Sequence, residues 1–284
     1  MEKIPDNTKI QSIDLRVRDI KTSLNFYSEM LGMIEFERTD NISYLSANGN
    51  LPYIIKLVED KNATVRMQGT TGLFHLALRL PNRKELARVF LRLFNNDVKF
   101  QGFSDHLVSE AIYLTDPDGN GVELYADRPR ELWEWKIGEV KMDTLPLDLS
   151  KITNELDDRD TWNGIHPDTD LGHIHLNVSD LFQAEKIFND IVGFNVTNSS
   201  YPGAKFFSAG GYHHHIGTNT WQTRKGITRK ENSLGMDSFT IKLPDKESLK
   251  SIQKNAQELG LLMDSNDQEV FIKDYDHNKL RLVN

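Results

Sequence analysis

The sequence predicts an α+β protein built from four βαβββ modules, and three observations point to it. First, Ser12-Ile-Asp-Leu-Arg-Val-Arg-Asp19-Ile20 followed by KTSLNFYSEMLGM returns 161 positions later as His173-Ile-His-Leu-Asn-Val-Ser-Asp180-Leu181 followed by FQAEKIFNDIVGF. In this match Asp19 falls on Asp180, Tyr27 on Phe188 and Gly32 on Gly193. Second, HLALRLPNRKEL from His75 and SFTIKLPDKESL from Ser238 share a Leu-Pro step and the helix start after it. Third, the turn DPDGNGVEL from Asp116 recurs as DYDHNKLRL from Asp274. The two nested pairs divide the chain into modules of roughly 50 to 60 residues each.

The elements follow in order. In module one, Ile13, Leu15 and Val17 alternate as on a half-buried strand. A helix over 20–31 carries Leu24, Tyr27, Met30 and Leu31 at helical spacing and is stopped by Gly32. Strands are expected over 33–38, 42–47 and 53–58. In module two, the apolar run 111–114 meets Asp-Pro-Asp-Gly-Asn-Gly, where Pro fixes φ and Gly supplies positive φ. The chain therefore reverses before a strand at 122–125. On that strand Glu123 points opposite to Val122 and Leu124, towards solvent or into a polar cavity. The expected organisation is a first domain over 1–127, a connector over 128–170 and a second domain over 171–284. The connector holds Trp133, Trp135 and Trp162 and an acidic run at 155–160, and reads as ordered because three Trp are poorly left in water.

Composition removes several function classes. A net charge of −8 with no basic stripe argues against nucleic-acid binding. Without cysteine there are no disulfides and no thiolate ligands, so metal chemistry falls to His and carboxylates. The polar start MEKIPDNTKIQS has no signal-peptide core, and no apolar run is long enough to span a membrane; a cytoplasmic protein is expected.

One stretch carries a family resemblance. His106, five residues, Ile112-Tyr113, two residues, Asp116-Pro117, one residue, Gly119, three residues and Glu123 closely resemble the pattern of extradiol ring-cleavage dioxygenases. Ser104 departs from it, standing where that family carries Gly, Asn, Thr, Ile or Val. The repeated strand, helix and three strands also resemble the wider vicinal oxygen chelate superfamily, whose paired modules form curved-sheet cups around a metal. That superfamily includes glyoxalase I, epimerases and drug-binding resistance proteins. The resemblance covers nearly all of the chain except the connector.

What the resemblance implies is specific. Each module offers ligands from the start of its first strand and the end of its last. Module one then offers Ser12 and no good ligand, module two His75 and Glu123, module three His173 and one of His213 to His215, and module four Ser238 and Arg281. Either His75 or His173 alone would read as a half-buried core histidine. Together with Glu123 they make a two-His, one-carboxylate set that suits Fe(II), with Mn(II) or another divalent metal as the alternative. That set requires modules two and three to share one cup, leaving modules one and four a ligand-free cup. A variant keeps His75 and Glu123 with a third ligand from the first half.

Three consecutive histidines on a strand would alternate faces, with His215 aligned to Glu123 and His214 one residue away. One of them is expected to be an acid/base, or a fourth ligand as in glyoxalase-like members. His106 and Tyr113 would hydrogen-bond the substrate oxygens, His175 would sit behind His173, and His166 and His277 would be solvated. The implied activity is extradiol cleavage of catechol or a substituted catechol by O₂, in aromatic catabolism, with an exposed-edge homo-oligomer as a further expectation. The alternatives are a glyoxalase- or isomerase-type metalloenzyme using Zn, Ni or Mn, and a resistance-type binder without catalysis.

Overall fold

The computed structural model describes residues 3–157, 161–224 and 226–284. Module one comprises β1 (Lys9–Val17), α1 (Ile20–Leu24), β2 (Ile34–Arg38), β3 (Ile42–Ser46) and β4 (Ile55–Glu59). Module two comprises β5 (Gly72–Leu80), α2 (Arg83–Phe94), β6 (Gly102–Asp105), β7 (Ser109–Thr115) and β8 (Gly121–Asp127). The connector adds β9 (Trp135–Lys136), β10 (Glu139–Val140), β11 (Leu145–Pro146) and α3 (Leu149–Thr153). Module three has β12 (Asp170–Asn177), α4 (Leu181–Glu185), β13 (Asn195–Asn198), β14 (Ala204–Ser208) and β15 (Ile216–Asn219). Module four has β16 (Gly235–Lys242), α5 (Lys246–Glu258), β17 (Leu262–Ser265), β18 (Glu269–Lys273) and β19 (Lys279–Val283).

Aspartate or asparagine caps each module's helix. Asp19, Asn82, Asp180 and Asp245 each accept a backbone N–H from the first turn, satisfying donors that a helix start leaves unpaired. The helix expected over 20–31 is α-helical only to Leu24 and continues as a π-helix over Asn25–Met30. Module three repeats this with a π-helix over Lys186–Ile191. Helical spacing of apolar residues does not distinguish the two windings over so short a segment.

Two sheets result. One runs β17-β18-β19-β16-β1-β4-β3-β2, joining modules four and one; the other runs β11-β6-β7-β8-β5-β12-β15-β14-β13, joining modules two and three. Modules two and three thus share a sheet, as the two-His, one-carboxylate set requires. Each chain half, 1–127 and 171–284, contributes one module to each sheet. The junctions are antiparallel: β1 on β16 and β5 on β12. At each junction the register slips twice, next to Gln11, Asp237, Phe74 and Gly172. These bulges recur at matching places in all four modules. A continuous core of Ile, Leu, Val and Phe packs the helices on the sheets, including Leu76, Leu78, Ile174 and Leu176 from the second junction.

The two sheets are tied by their turns. Asp116 Oδ1 accepts the N–H groups of Asp118 (3.0 Å) and Asn120 (2.8 Å), and its Oδ2 accepts Tyr27 O–H from module one (2.9 Å). Asp118 then accepts the N–H of Arg18 (3.2 Å). In the other half Asp274 closes the same turn onto Asp276 (2.9 Å) and Asn278 (2.7 Å), and Asp276 accepts the N–H of Ser179 (2.9 Å).

The connector is ordered over its described residues, although residues 158–160 of the acidic run lie outside them. Trp133 is buried, and Trp162 is half-buried against the main core. Trp135 departs from expectation: it stands 42% exposed on the β9–β10 hairpin, which has no sheet beneath it to bury a ring.

Candidate metal centre

His75 and His173 meet diagonally across the central β5–β12 junction, and Glu123 comes from β8, the parallel neighbour of β5. His75 Nε2 lies 2.9 Å and His173 Nε2 3.3 Å from Glu123 Oε2, and the two imidazole nitrogens are 3.3 Å apart. All three residues are buried. Metal bonds of about 2.1 Å at right angles would separate neighbouring ligand atoms by about 3.0 Å, so the near-equilateral triangle has the size of one octahedral face. Burial presses His173 down to about 4 despite the carboxylate beside it. The imidazole is thereby kept neutral, the form in which it binds a metal.

The triangle forms the floor of a cavity of about 620 Å³. On one side His106 Nδ1 sits 2.8 Å from the carbonyl of Asp143, which can only accept, so Nδ1 carries the proton. His106 Nε2 therefore accepts the O–H of Tyr113 at 2.7 Å. Burial, and then the charge of Glu123 directly across the strand pair, raises the Tyr113 hydroxyl well above its ordinary value. The phenol consequently stays protonated. Met142 and Thr144 bring the connector into the same wall, with the Thr144 hydroxyl 2.7 Å from that of Tyr201.

On the opposite side the histidine triple departs from expectation. Residues 213–215 lie in the loop ahead of β15, because Gly210-Gly211, both at positive φ, turn the chain before the strand begins. His214 lines the cavity, its ring 4.2 Å from that of His173. His215 is absent from the lining: its Nδ1 bonds Ser208 Oγ at 2.7 Å, and its ring stacks on Phe194. The expectation that His215 stands level with Glu123 is thus corrected. Its alignment assumed an unbroken strand, whereas the register Ala77–Glu123 and His175–Gly217 puts Gly217 at that place. A side chain at Gly217 would come within 2.9 Å of the His175 ring, so no fourth ligand fits there.

His175 also differs from the expected position behind His173. It lines the cavity, is paired across the strands with His75, and accepts Asn219 Nδ2–H at 3.1 Å. His277 is exposed and His166 is half-buried beside Asp168.

Sequence reasoning missed the support of His214. His213 Nε2 lies 2.9 Å from Asp127 Oδ1, and His213 Nδ1 lies 2.7 Å from His214 Nδ1. The carboxylate fixes the Nε2–H tautomer of His213, whose Nδ1 then accepts from His214. His214 Nε2 is left with its lone pair. Burial, and then the neighbouring His173 and His213, keep His214 neutral. The signal for Asp127 was its parity with Glu123 on β8.

Comparison with known proteins gives the family and the fold. The chain is 39% identical over 279 residues to catechol-2,3-dioxygenase of Bacillus subtilis, covering 96% of each. Its fold is shared with a Bacillus subtilis protein assigned provisionally as a dioxygenase (TM-score 0.69, 14% identity, 99% of this chain and 86% of that one). Glyoxalase I of Zea mays shares it too (TM-score 0.60, 15% identity, 98% and 92%). Residues 9–124 match the family described as Glyoxalase/Bleomycin resistance protein/Dioxygenase superfamily, and with the full-length relative this establishes that the chain belongs to that superfamily.

Proposed function

We propose that the protein is an extradiol dioxygenase, cleaving the ring of a catechol beside its hydroxyls with O₂. The observation that carries this is the facial triangle of His75, Glu123 and His173 at the floor of a cavity, with a neutral histidine in its wall whose Nδ1 is held by His213 and whose Nε2 keeps its lone pair. The name of the 39% identical relative supports the same chemistry. The three residues would hold Fe(II), or Mn(II), on one face, and the bound ion would supply a place where diol and O₂ meet.

The remaining steps belong to the chain's own groups. His214 Nε2 accepts a proton from the diol as it binds and returns it when the ring opens. Asp127 and His213 hold His214 in the tautomer that can do so. The Asp143 carbonyl fixes the proton of His106, His106 Nε2 takes the Tyr113 O–H, and the Tyr113 oxygen is thereby turned to accept from a substrate hydroxyl, His106 acting through it. Phe74, Phe206 and Trp221 give the cavity aromatic walls. The glyoxalase-type alternative needs a fourth ligand at the place that Gly217 and the His175 ring occupy.

The test is anaerobic reconstitution with Fe(II), then catechol, then air. Oxygen uptake together with a yellow ring-opened product is the expected result. Tight iron binding without uptake on any catechol would move the assignment to the isomerase class.

A further inference from the structure

The ring-cleavage reading leaves one charge in the cavity wall unexplained. Among the described lining residues Glu123 is the one carboxylate and Arg66 the one Lys or Arg. Glu123 faces two imidazoles. Arg66, from the 60–71 loop, donates through Nη1 to the carbonyl of Leu73. Arg229 reaches the same spot from the loop before β16 and donates to the carbonyl of Met236. Both pack over Gly72, where a Cβ would meet Arg66 Nη1 at 3.2 Å and Arg229 Cδ at 3.0 Å; its φ of +127° is one that glycine tolerates. Among the described residues neither guanidinium forms an ion pair with a carboxylate. Burial, and then the repulsion of Arg229, destabilises the Arg66 charge, offset in part by the more distant Asp116, and Asp237 and Asp274 partly offset the same burial for Arg229.

A partly desolvated cation with no carboxylate in contact with it is costly to the free protein, and an arriving anion relieves that cost. The position also fits. Leu73 lies two residues before His75 on the same strand, about 7 Å along it. A diol held at the triangle could therefore direct a substituent to Arg66, between Phe74, Trp221 and the amides of Asn177 and Gln222. We propose that the preferred substrate is a catechol carrying a carboxylate on a short arm, and that Arg66 recognises that carboxylate. This rests on the ring-cleavage reading above.

The experiment compares, on the iron-loaded protein, 3,4-dihydroxyphenylacetate and 3-(3,4-dihydroxyphenyl)propanoate with their neutral counterparts 4-ethylcatechol and 4-propylcatechol. Anaerobic equilibrium titration gives affinity, and oxygen uptake gives kcat and KM. The acids are expected to bind about 10- to 100-fold more tightly than the neutral catechols. Arg66→Met should abolish that preference, read as the ratio of acid to neutral affinity within the variant. Arg66→Lys, which keeps the charge without the fork, should retain part of it and carries the test if Arg66→Met does not fold. Cleavage of neutral catechols as well as of the acids, with a ratio indifferent to Arg66, would overturn this assignment alone. Failure to cleave any of the four would overturn the ring-cleavage reading and this assignment with it.

Discussion

Glu123 touches both His75 and His173, and replacing any of the three leaves two donors to hold an ion. Glu123→Gln and His173→Ala are each expected to weaken Fe(II) retention by about 100-fold or more, read as metal content after gel filtration. His214→Gln separates the roles: metal content should hold while turnover falls by about 10²- to 10⁴-fold, read by oxygen uptake on the loaded protein. The candidate triangle was legible in the sequence because His75 and His173 start equivalent strands, and Glu123 lies on a strand whose turn announces itself. His215 was misread because a two-glycine turn ends the strand pattern early, and alternation says nothing about where a strand starts. Arg66 left no trace, since a loop residue carries no periodicity to place it against the sheet.

At the scale of elements, the bulges decide what faces the cavity. The slip at Phe74 lets that ring and the adjacent His75 both line it, and the slip at Gly172 admits Tyr125 against the strand. A Cβ at residue 172 would lie 1.8 Å from Tyr125 Oη. Gly172→Ala is expected to cost about 3 kcal/mol of stability, and Tyr125→Phe about 1 kcal/mol through the lost bond to Tyr212. The double variant should lose less than the sum, since removing the hydroxyl removes the worst clash; denaturant melts of the four proteins check this. The turn of module four carries its own signature. Burial raises Asp274 to about 7, whereas the unfolded residue titrates near 4. Between these values the folded chain keeps a proton that the unfolded chain releases, so this group's stabilising contribution declines as pH rises from about 4 to 7. Wild-type Tm should therefore fall between pH 5 and 7.5 more steeply than that of Asp274→Asn. The helix stop at Gly32 and the turn residues from Asp116 were readable in advance because their chemistry is local. Bulges and the π-winding were not, because they depend on which strand or core a segment meets.

Among the described residues of the whole molecule the two large sheets are built to one plan, and one of them has the candidate ligand set. At the places corresponding to Glu123, β4 offers Lys56 and β19 offers Arg281, and Lys56 already pairs with Asp14 at 3.3 Å. The loaded protein is therefore expected to hold one Fe(II) per chain, counted by elemental analysis. Glu123→Gln should remove that single equivalent rather than half of a larger total. The four-module plan was legible from the repeats, and the pairing of modules two and three followed from the ligand set. The docking of the two sheets through Tyr27, Asp118 and Asp276 was not, since those bonds join residues about 90 to 100 positions apart.

The exchange of modules between the halves has a consequence during synthesis. When residue 127 leaves the ribosome, β1 and β5 are both complete, yet each lacks its antiparallel neighbour, because β12 and β16 are not yet translated. The nascent first half therefore carries two unpaired inner strands, one from each sheet, the kind of edge that recruits another chain. Assembly of the cavity must wait for β12 and β15. The interval between codon 127 and codon 242, where β16 ends, is accordingly when this polypeptide has most need of a chaperone.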